Sequence, residues 1–315
     1  MGTLDYTCDF SPEYDCVANK PMRDARLEEG CGFMEQRLTK YSSLMRRSSS
    51  QAHYFIKKLG CRENEHLHFI LVNDAKHTNN SSSTSSNHKQ AMTLQKPLNL
   101  MEKLVPQIKL ISNNNNKPVH LLSQNARGYA VFMEINYRET KDSDFKNIRA
   151  QFIDVDLNKI SAYAATREQA KQTLKSLQSN PSEQILSTTI KRNKQGQFHL
   201  LAHRTEQRVA QLKQQFLKKH WSRIKNAMII ETKNGYHIYW PIQNGSISKF
   251  VPIQKALAQK FGSDPMITNL SRVMRIPGFY HMKNPEKPFL VRVSQWGRKK
   301  PFTQQELITA LALKP

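Results

Sequence analysis

The chain has 315 residues, 38% of them hydrophobic, which is enough for a packed core in one large domain or two small ones. Its 48 lysines and arginines against 25 acidic residues give a formal net charge of +23, which favours a polyanionic partner such as nucleic acid. No apolar run approaches the roughly 20 residues of a membrane-spanning helix, and the N-terminus has no basic region followed by an apolar stretch. We therefore expect neither a membrane span nor an export signal, and a cytoplasmic location.

The first half of the chain combines weak periodic patterns with polar tracts. Residues 1–50 show no sustained helical or strand period and are predicted to be a poorly ordered extension. A short helix is predicted near Ala52, and HLHFILVND after it alternates as a strand does. Ser/Asn-rich tracts at residues 76–92 and 113–117 are predicted to be inserts in a single domain of residues 51–300, because helix-like and strand-like segments flank each tract.

Stronger patterns follow from Gly128. GYAVFMEIN and IRAQFIDVDLN are predicted strands, whereas residues 160–178 and 201–221 have the composition of surface helices separated by an irregular stretch. NAMIIETKNGYHIYWPI predicts a β-hairpin that turns at Asn234-Gly235, a pair favoured in type I′ turns. An amphipathic helix in SISKFVPIQKALAQKFG, a strand in FLVRV and a C-terminal helix within residues 301–315 complete the prediction.

Two carboxylates at the end of a predicted strand are the first candidate site. Asp154 and Asp156 are two residues apart, so both side chains leave the same face of the strand. Carboxylates held this close repel each other unless a cation lies between them, and Mg²⁺ and Mn²⁺ prefer such oxygen ligands. Taken alone, the pair is more often a surface or capping feature.

The other candidate residues are also ordinary when taken singly. His237 lies in the second strand of the hairpin, where a histidine is most often a core residue with a satisfied hydrogen bond. Asp264 precedes a proline, as turn acids often do. A compact cationic group follows, made of Arg272, Arg275 and Lys283, and a solvated basic loop would have the same composition.

Their order is more informative than any one of them. DVD, then a hairpin with GYH, then SDP followed by SRVMRIPGFYHMK resembles the three motifs of the archaeo-eukaryotic primase superfamily, and more specifically the RepB-like primases of plasmid replication. The resemblance covers about residues 51–295, and RVMRIPG with HMK is its most specific part. It implies a catalytic domain of the α+β or α/β class, with an RRM-like antiparallel sheet, a smaller N-terminal α/β portion and flanking helices.

The resemblance also implies a function. A primase of this branch is a nucleotidyltransferase that synthesises short primers on single-stranded DNA in plasmid or mobile-element replication, by a two-metal mechanism. It implies that two Mg²⁺ or Mn²⁺ ions are held by Asp154, Asp156 and Asp264, which with His237 form the catalytic group. It further implies that the nucleotide phosphates are bound by His237, Arg272, Arg275 and Lys283. The implied partners are a single-stranded DNA template, nucleoside triphosphates and a separate replicative helicase.

Two other functions remain open. A replication-initiation nuclease uses a similar sheet but needs paired metal-binding histidines and a nucleophilic tyrosine, and the sequence has one HxH, formed by His66 and His68 in HLHFILVND. A non-catalytic, primase-derived protein would bind single-stranded nucleic acid with or without metal. Nucleotide incorporation distinguishes an enzyme from this second alternative.

Overall fold

A computed structural model describes residues 51–61, 67–74, 89–94, 110–112, 118–119, 121–138, 145–284 and 286–315. The predicted extension of residues 1–50 and most of both predicted inserts lie outside the described residues. No helix in the described ranges is long and apolar enough to cross a membrane.

The described residues form six helices and sixteen strands. The helices are α1 (51–58), α2 (Leu121–Ala126), α3 (Arg167–Ser179), α4 (Glu206–Ile224), α5 (Ile247–Phe261) and α6 (Gln304–Leu311). The strands are β1 (His68–Asn73), β2 (Lys89–Leu94), β3 (Leu110–Ser112), β4 (Pro118–Val119), β5 (Tyr129–Glu134), β6 (Tyr137–Arg138), β7 (Phe145–Asp156), β8 (Lys159–Ala164), β9 (Ile185–Arg192), β10 (Phe198–Arg204), β11 (Met228–Thr232), β12 (Gly235–Gly245), β13 (Val273–Arg275), β14 (Tyr280–His281), β15 (Phe289–Leu290) and β16 (Arg292–Gln295).

The strands form four antiparallel sheets. A five-stranded sheet has the order β16-β11-β12-β7-β6, and a six-stranded sheet has the order β13-β5-β1-β2-β3-β4. Strands β8-β10-β9 form a three-stranded sheet, and β14 and β15 pair with each other. Antiparallel sheets with flanking helices confirm the predicted mixed α+β architecture.

Helices cover both faces of the five-stranded sheet. On one face, Phe216 of α4 lies 6.1 Å from Tyr236 and Phe261 of α5 lies 5.6 Å from Trp240, measured between ring centroids. On the other face, Phe55 of α1 packs edge-on against Tyr239. The apolar side chains of both faces belong to one continuous core, so β7 and β12 are fixed from both sides.

One buried glutamine holds α5 against β7. The Gln254 side chain accepts a hydrogen bond from the Phe152 backbone N–H at 3.0 Å and donates to the carbonyls of Phe152 and Ile267. Because Ile267 lies in the loop after α5, this side chain fixes that loop beside the end of β7. The loop carries Asp264.

The structure corrects the prediction in the middle of the chain. Residues 160–164 and 201–204 were predicted as parts of helices but belong to β8 and β10, and the predicted irregular stretch contains β9. These strands pack only alternate residues against α3 and leave polar residues on the other face. The polar content of these strands is therefore similar to that of a surface helix followed by a loop, which explains the wrong prediction.

The hairpin is confirmed, but its turn lies one residue earlier than predicted. Thr232 pairs with Gly235, so the turn residues are Lys233 and Asn234, and Gly235 is the first residue of β12. A Cβ atom at Gly235 would lie 1.7 Å from the carbonyl oxygen of Val155. Glycine is required here by the close approach of β7 rather than by the turn.

Two other boundaries also differ from the prediction. Strand β2 begins at Lys89, which pairs with Val72 of β1, so the polar tract predicted to extend to residue 92 ends before it. FLVRV is divided at Val291 between β15 and β16.

Candidate active site

Three predicted acids lie together at the end of β7. Asp154 pairs in register with His237, and Asp156 pairs with Gly235. The backbone N–H of Asp264 donates a hydrogen bond of 3.1 Å to the carbonyl of Asp154. Neighbouring strands and the loop after α5 thus bring together acids that are far apart in sequence.

Asp154 is a carboxyl group in unfavourable surroundings. Burial raises its pKa most, and the charges of Asp156 and Asp264 raise it further, while Arg272 and Arg275 oppose the change; the resulting pKa is about 7. His237 lies beside it, with its Nε2 atom 3.7 Å from Asp154 Oδ1. The negative charge of this group is therefore incompletely balanced by the protein.

In each of the other two acids, one carboxylate oxygen accepts a hydrogen bond from a backbone N–H two residues later. Asp156 Oδ1 accepts a hydrogen bond from the Asn158 backbone, and Asp264 Oδ1 accepts one from the Met266 backbone. Within the described residues, no three His, Cys, Asp or Glu side chains already form a group that could hold a metal ion. The donor set nevertheless fits a hard divalent cation, because it consists of carboxylate oxygens and includes the poorly balanced Asp154.

Two of the three predicted cations form ion pairs, one with an acid of the site and one with another aspartate. Arg272 Nη2 lies 3.4 Å from Asp264 Oδ2. Arg275, at the end of β13, forms a 2.8 Å ion pair with Asp74, and its guanidinium lies 4.7 Å from the centre of the Phe132 ring. Lys283 is exposed, and no ion pair joins it to an acid in the described ranges.

His237 is buried and electrically neutral at neutral pH. Burial lowers its pKa most and the charge of Arg275 adds to this effect, against a hydrogen bond to the Arg275 backbone; the resulting pKa is about 3. Its Nδ1 atom is 3.5 Å from the hydroxyl of Tyr239, which shares its face of β12. The imidazole therefore connects β12 to the strand that carries the arginine.

Asp74 and His281 were not recognised as site residues from the sequence. Asp74 follows β1 and lies 201 positions before Arg275 in the sequence. Burial lowers the pKa of His281, with Arg275 contributing in the same direction and Asp74 opposing. HFILVND, a strand ending in an acid like FIDVD, was the available signal for Asp74, and the position of His281 between Arg275 and Lys283 was the signal for the histidine.

Comparison with known protein families identifies the larger part of the chain. Residues 150–314, more than half of the chain, match the model of the RepB DNA-primase N-terminal domain. The chain belongs to this family. The match confirms the predicted resemblance. All seven residues predicted for the site lie within it, whereas Asp74 lies outside it. No curated protein matches the chain.

Three solved structures are similar to this chain, each at 12% sequence identity. The primase-polymerase domain of cyanophage S-2L has a TM-score of 0.43, covering 83% of this chain and 97% of that one. The primase RepB′ has a TM-score of 0.42, covering 84% and 62% respectively. The catalytic domain of RepB′ in complex with initiator DNA has a TM-score of 0.39, covering 82% and 92%.

Proposed function

We propose that this member of the family is an active DNA primase, which joins nucleotides into short primers on a single-stranded DNA template in plasmid or mobile-element replication. The observation that carries the proposal is the position of Asp154. It lies beside two further acids and faces two arginines and a buried histidine. A merely structural acid would be paired or hydrogen-bonded, because an unbalanced buried charge is destabilising.

We propose that Asp154, Asp156 and Asp264 hold two divalent ions, Mg²⁺ or Mn²⁺. When bound, such ions neutralise phosphate charge and stabilise the attacking and leaving oxygens of the transfer. The protein then has to hold the acids in position and to limit ion pairing between these acids and its own arginines. Gln254 and the backbone bond between Asp264 and Asp154 serve the first need. The second need is met for Arg275, which is paired with Asp74 instead of an acid of the site.

The arginines supply the complementary half of the site. Phosphoryl transfer depends mainly on positioning and charge neutralisation. The Arg275 guanidinium is held between Asp74 and the Phe132 ring, so its N–H groups are oriented before a ligand binds. Arg272 is only loosely paired with Asp264, at 3.4 Å. We propose that both bind the triphosphate through charge-assisted hydrogen bonds, and that exposed Lys283 adds a more distant charge.

His237 is proposed to line the phosphate subsite. It stands 3.7 Å from Asp154 Oδ1 and also holds the backbone of Arg275. Its removal would therefore disturb the acids and the arginine together. A single-stranded template, nucleoside triphosphates and a separate helicase remain the proposed partners, and the cytoplasm remains the proposed location.

The proposal is tested by measuring ion binding and nucleotide incorporation on the same variants. Asp154→Asn should lose incorporation of labelled nucleotides and also lose the rise in melting temperature that Mn²⁺ causes in the parent protein. Glu168→Gln, which removes an exposed acid at the first turn of α3, should retain both. An Asp154→Asn protein that keeps both the Mn²⁺ response and incorporation would refute the assigned site.

A further inference from the structure

The three-stranded sheet β8-β10-β9 has one covered face and one open face. Helix α3 covers the first, where Ala170 and Leu174 pack against Leu200 and Ala202 in a small core separate from the main one. The second face is open to solvent at Lys159, Tyr163 and Lys191, which are exposed. Its outward residues form three rows across the strands, namely Tyr163-His199-Lys191, Ser161-Leu201-Thr189 and Lys159-His203-Ser187.

An aromatic pair stands on the open face. Tyr163 is 62% exposed, and its ring stacks on that of His199 with 4.6 Å between centroids and 17° between planes. The Ser161 hydroxyl lies 2.8 Å from His199 Nε2, so the orientation of the imidazole is fixed. Two flat rings are thus held parallel in solvent. A ligand that stacks on them would cost little side-chain conformational entropy, because both rings are already held in place.

The surrounding charge restricts what that ligand can be. Residues 157–205, which contain this sheet and α3, carry eight lysines and arginines against two acids. Lys159 and Lys191 are exposed on the open face itself. Planar aromatic groups with flanking cations match the two constant features of a single-stranded nucleic acid, the π-faces of its bases and its phosphates.

The open face is also directly connected to the candidate active site. Strand β7 ends at Asp156, and β8 begins at Lys159, so only two residues separate the acids from this sheet. The seven residue steps from Asp156 to Tyr163 span at most about 23 Å at the rise of a β-strand. One bound strand can therefore contact both places.

We propose that the open face of this sheet binds single-stranded DNA. Its bases stack on Tyr163 and His199, and its phosphates are bound by Lys159 and Lys191. That the bound strand is the template of primer synthesis rests on the proposed function; the binding itself does not. The surface lies outside the group of acids and arginines that handles the nucleotide.

The stacking part of the proposal is tested by DNA affinity without metal or nucleotide. Fluorescence anisotropy with a labelled oligothymidylate of about 20 nucleotides in EDTA should show Tyr163→Ala binding about 5- to 150-fold more weakly than the parent. Tyr163→Phe keeps the ring and should stay within about twofold. Because Tyr163 is exposed, both variants should melt at the parent temperature. Parental affinity in a folded Tyr163→Ala protein would overturn the proposal.

The charge part is tested with two matched lysines. Lys191→Gln removes a charge from the open face, whereas Lys175→Gln removes one from α3 on the opposite side of the sheet. Each single-strand phosphate contact contributes about −0.7 to the slope of log K against log salt, so Lys191→Gln should make that slope less negative by about 0.7 while Lys175→Gln leaves it unchanged. Equal slopes for the two variants would contradict phosphate binding on this face.

Two further measurements distinguish a failure of the proposed function from a failure of the proposed DNA-binding surface. Asp154→Asn should bind the oligothymidylate as the parent does, so its inactivity would bear on the proposed function alone. Tyr163→Ala should raise the template KM for primer synthesis and leave kcat unchanged. An effect of Tyr163→Ala confined to an oligouridylate of the same length would overturn the assignment to DNA.

Discussion

The contact between β7 and β12 next to the acids allows a sharp prediction for Gly235→Ala. A Cβ atom placed on Gly235 lies 1.7 Å from the Val155 carbonyl oxygen and 2.9 Å from its carbon. Since carbon–oxygen contacts are normally about 3.3 Å or longer, the strands must separate by about 1.5 Å. Both clashing atoms belong to backbone, so no side-chain rotation can relieve the contact.

The expected cost follows from this geometry. Overpacking a rigid site costs about 1 to 3 kcal/mol, and a clash with backbone places Gly235→Ala at the upper end, near about 3 kcal/mol. That loss lowers the melting temperature by about 6 to 12 °C for a domain of this size. The displaced segment carries Asp154 and Asp156, and misplacing reacting groups by about 1 Å costs about 100-fold in rate.

The assay compares Gly235→Ala with Gly245→Ala. Gly245 lies at the other end of β12, where an added Cβ would meet the Ile148 side chain at 2.7 Å. Melting temperature and nucleotide incorporation per folded molecule are measured for both. Gly245→Ala should lose stability but keep incorporation within about threefold, whereas Gly235→Ala should lose both. A Gly235→Ala protein with parental stability and incorporation would refute the strand register described here.

Three further predictions concern single features of the molecule. His237→Ala should lower kcat/KM for the nucleotide by about 10- to 1,000-fold, with oligothymidylate affinity nearly unchanged; equal loss of both would assign His237 a structural role only. Burial alone would raise the pKa of Glu231, but Lys213 and Arg292 outweigh it and hold the pKa below its usual value. Glu231 should therefore stabilise the fold above its ordinary pKa of about 4.5, and this contribution should be lost as the pH falls through its lowered folded-state value. Glu231→Gln should cost about 3 kcal/mol at pH 7 and progressively less in acid; a pH-independent difference in urea unfolding would contradict the ion pairs. Deleting residues 77–88 leaves a four-residue connection between Val72 and Lys89, so incorporation should stay within about threefold, and abolished template binding would show that the tract is not a passive insert.

Patterns that depend on neighbouring residues were predictable from the sequence. Two β-rich runs on either side of a turn predict the β11–β12 hairpin, and apolar residues at helical spacing predict α5. The acids at the end of β7 follow from strand alternation. In these segments the local preference of the residues and the tertiary structure agree.

Features that depend on distant contacts were not predictable. The three-stranded sheet was missed because only alternate residues of its strands belong to the small core. The residues between them are mostly polar and lie on the open face. The pairing of Asp74 with Arg275 joins β1 to β13 across the sheet, and sequence spacing carries no information about such a contact. The shifted turn has the same origin. Gly235 is required by Val155 of another strand, and an Asn-Gly pair cannot reveal that from the hairpin alone.

Template-directed incorporation by the parent protein and Asp154→Asn tests the central claim most directly. Each labelled nucleotide is supplied singly with an oligothymidylate template and Mg²⁺ or Mn²⁺, and product length is resolved on a denaturing gel. The parent should incorporate the adenine nucleotide alone, and folded Asp154→Asn should yield no product. Equal incorporation by Asp154→Asn, or equal incorporation of all four nucleotides by the parent, would contradict a templated transfer at these acids.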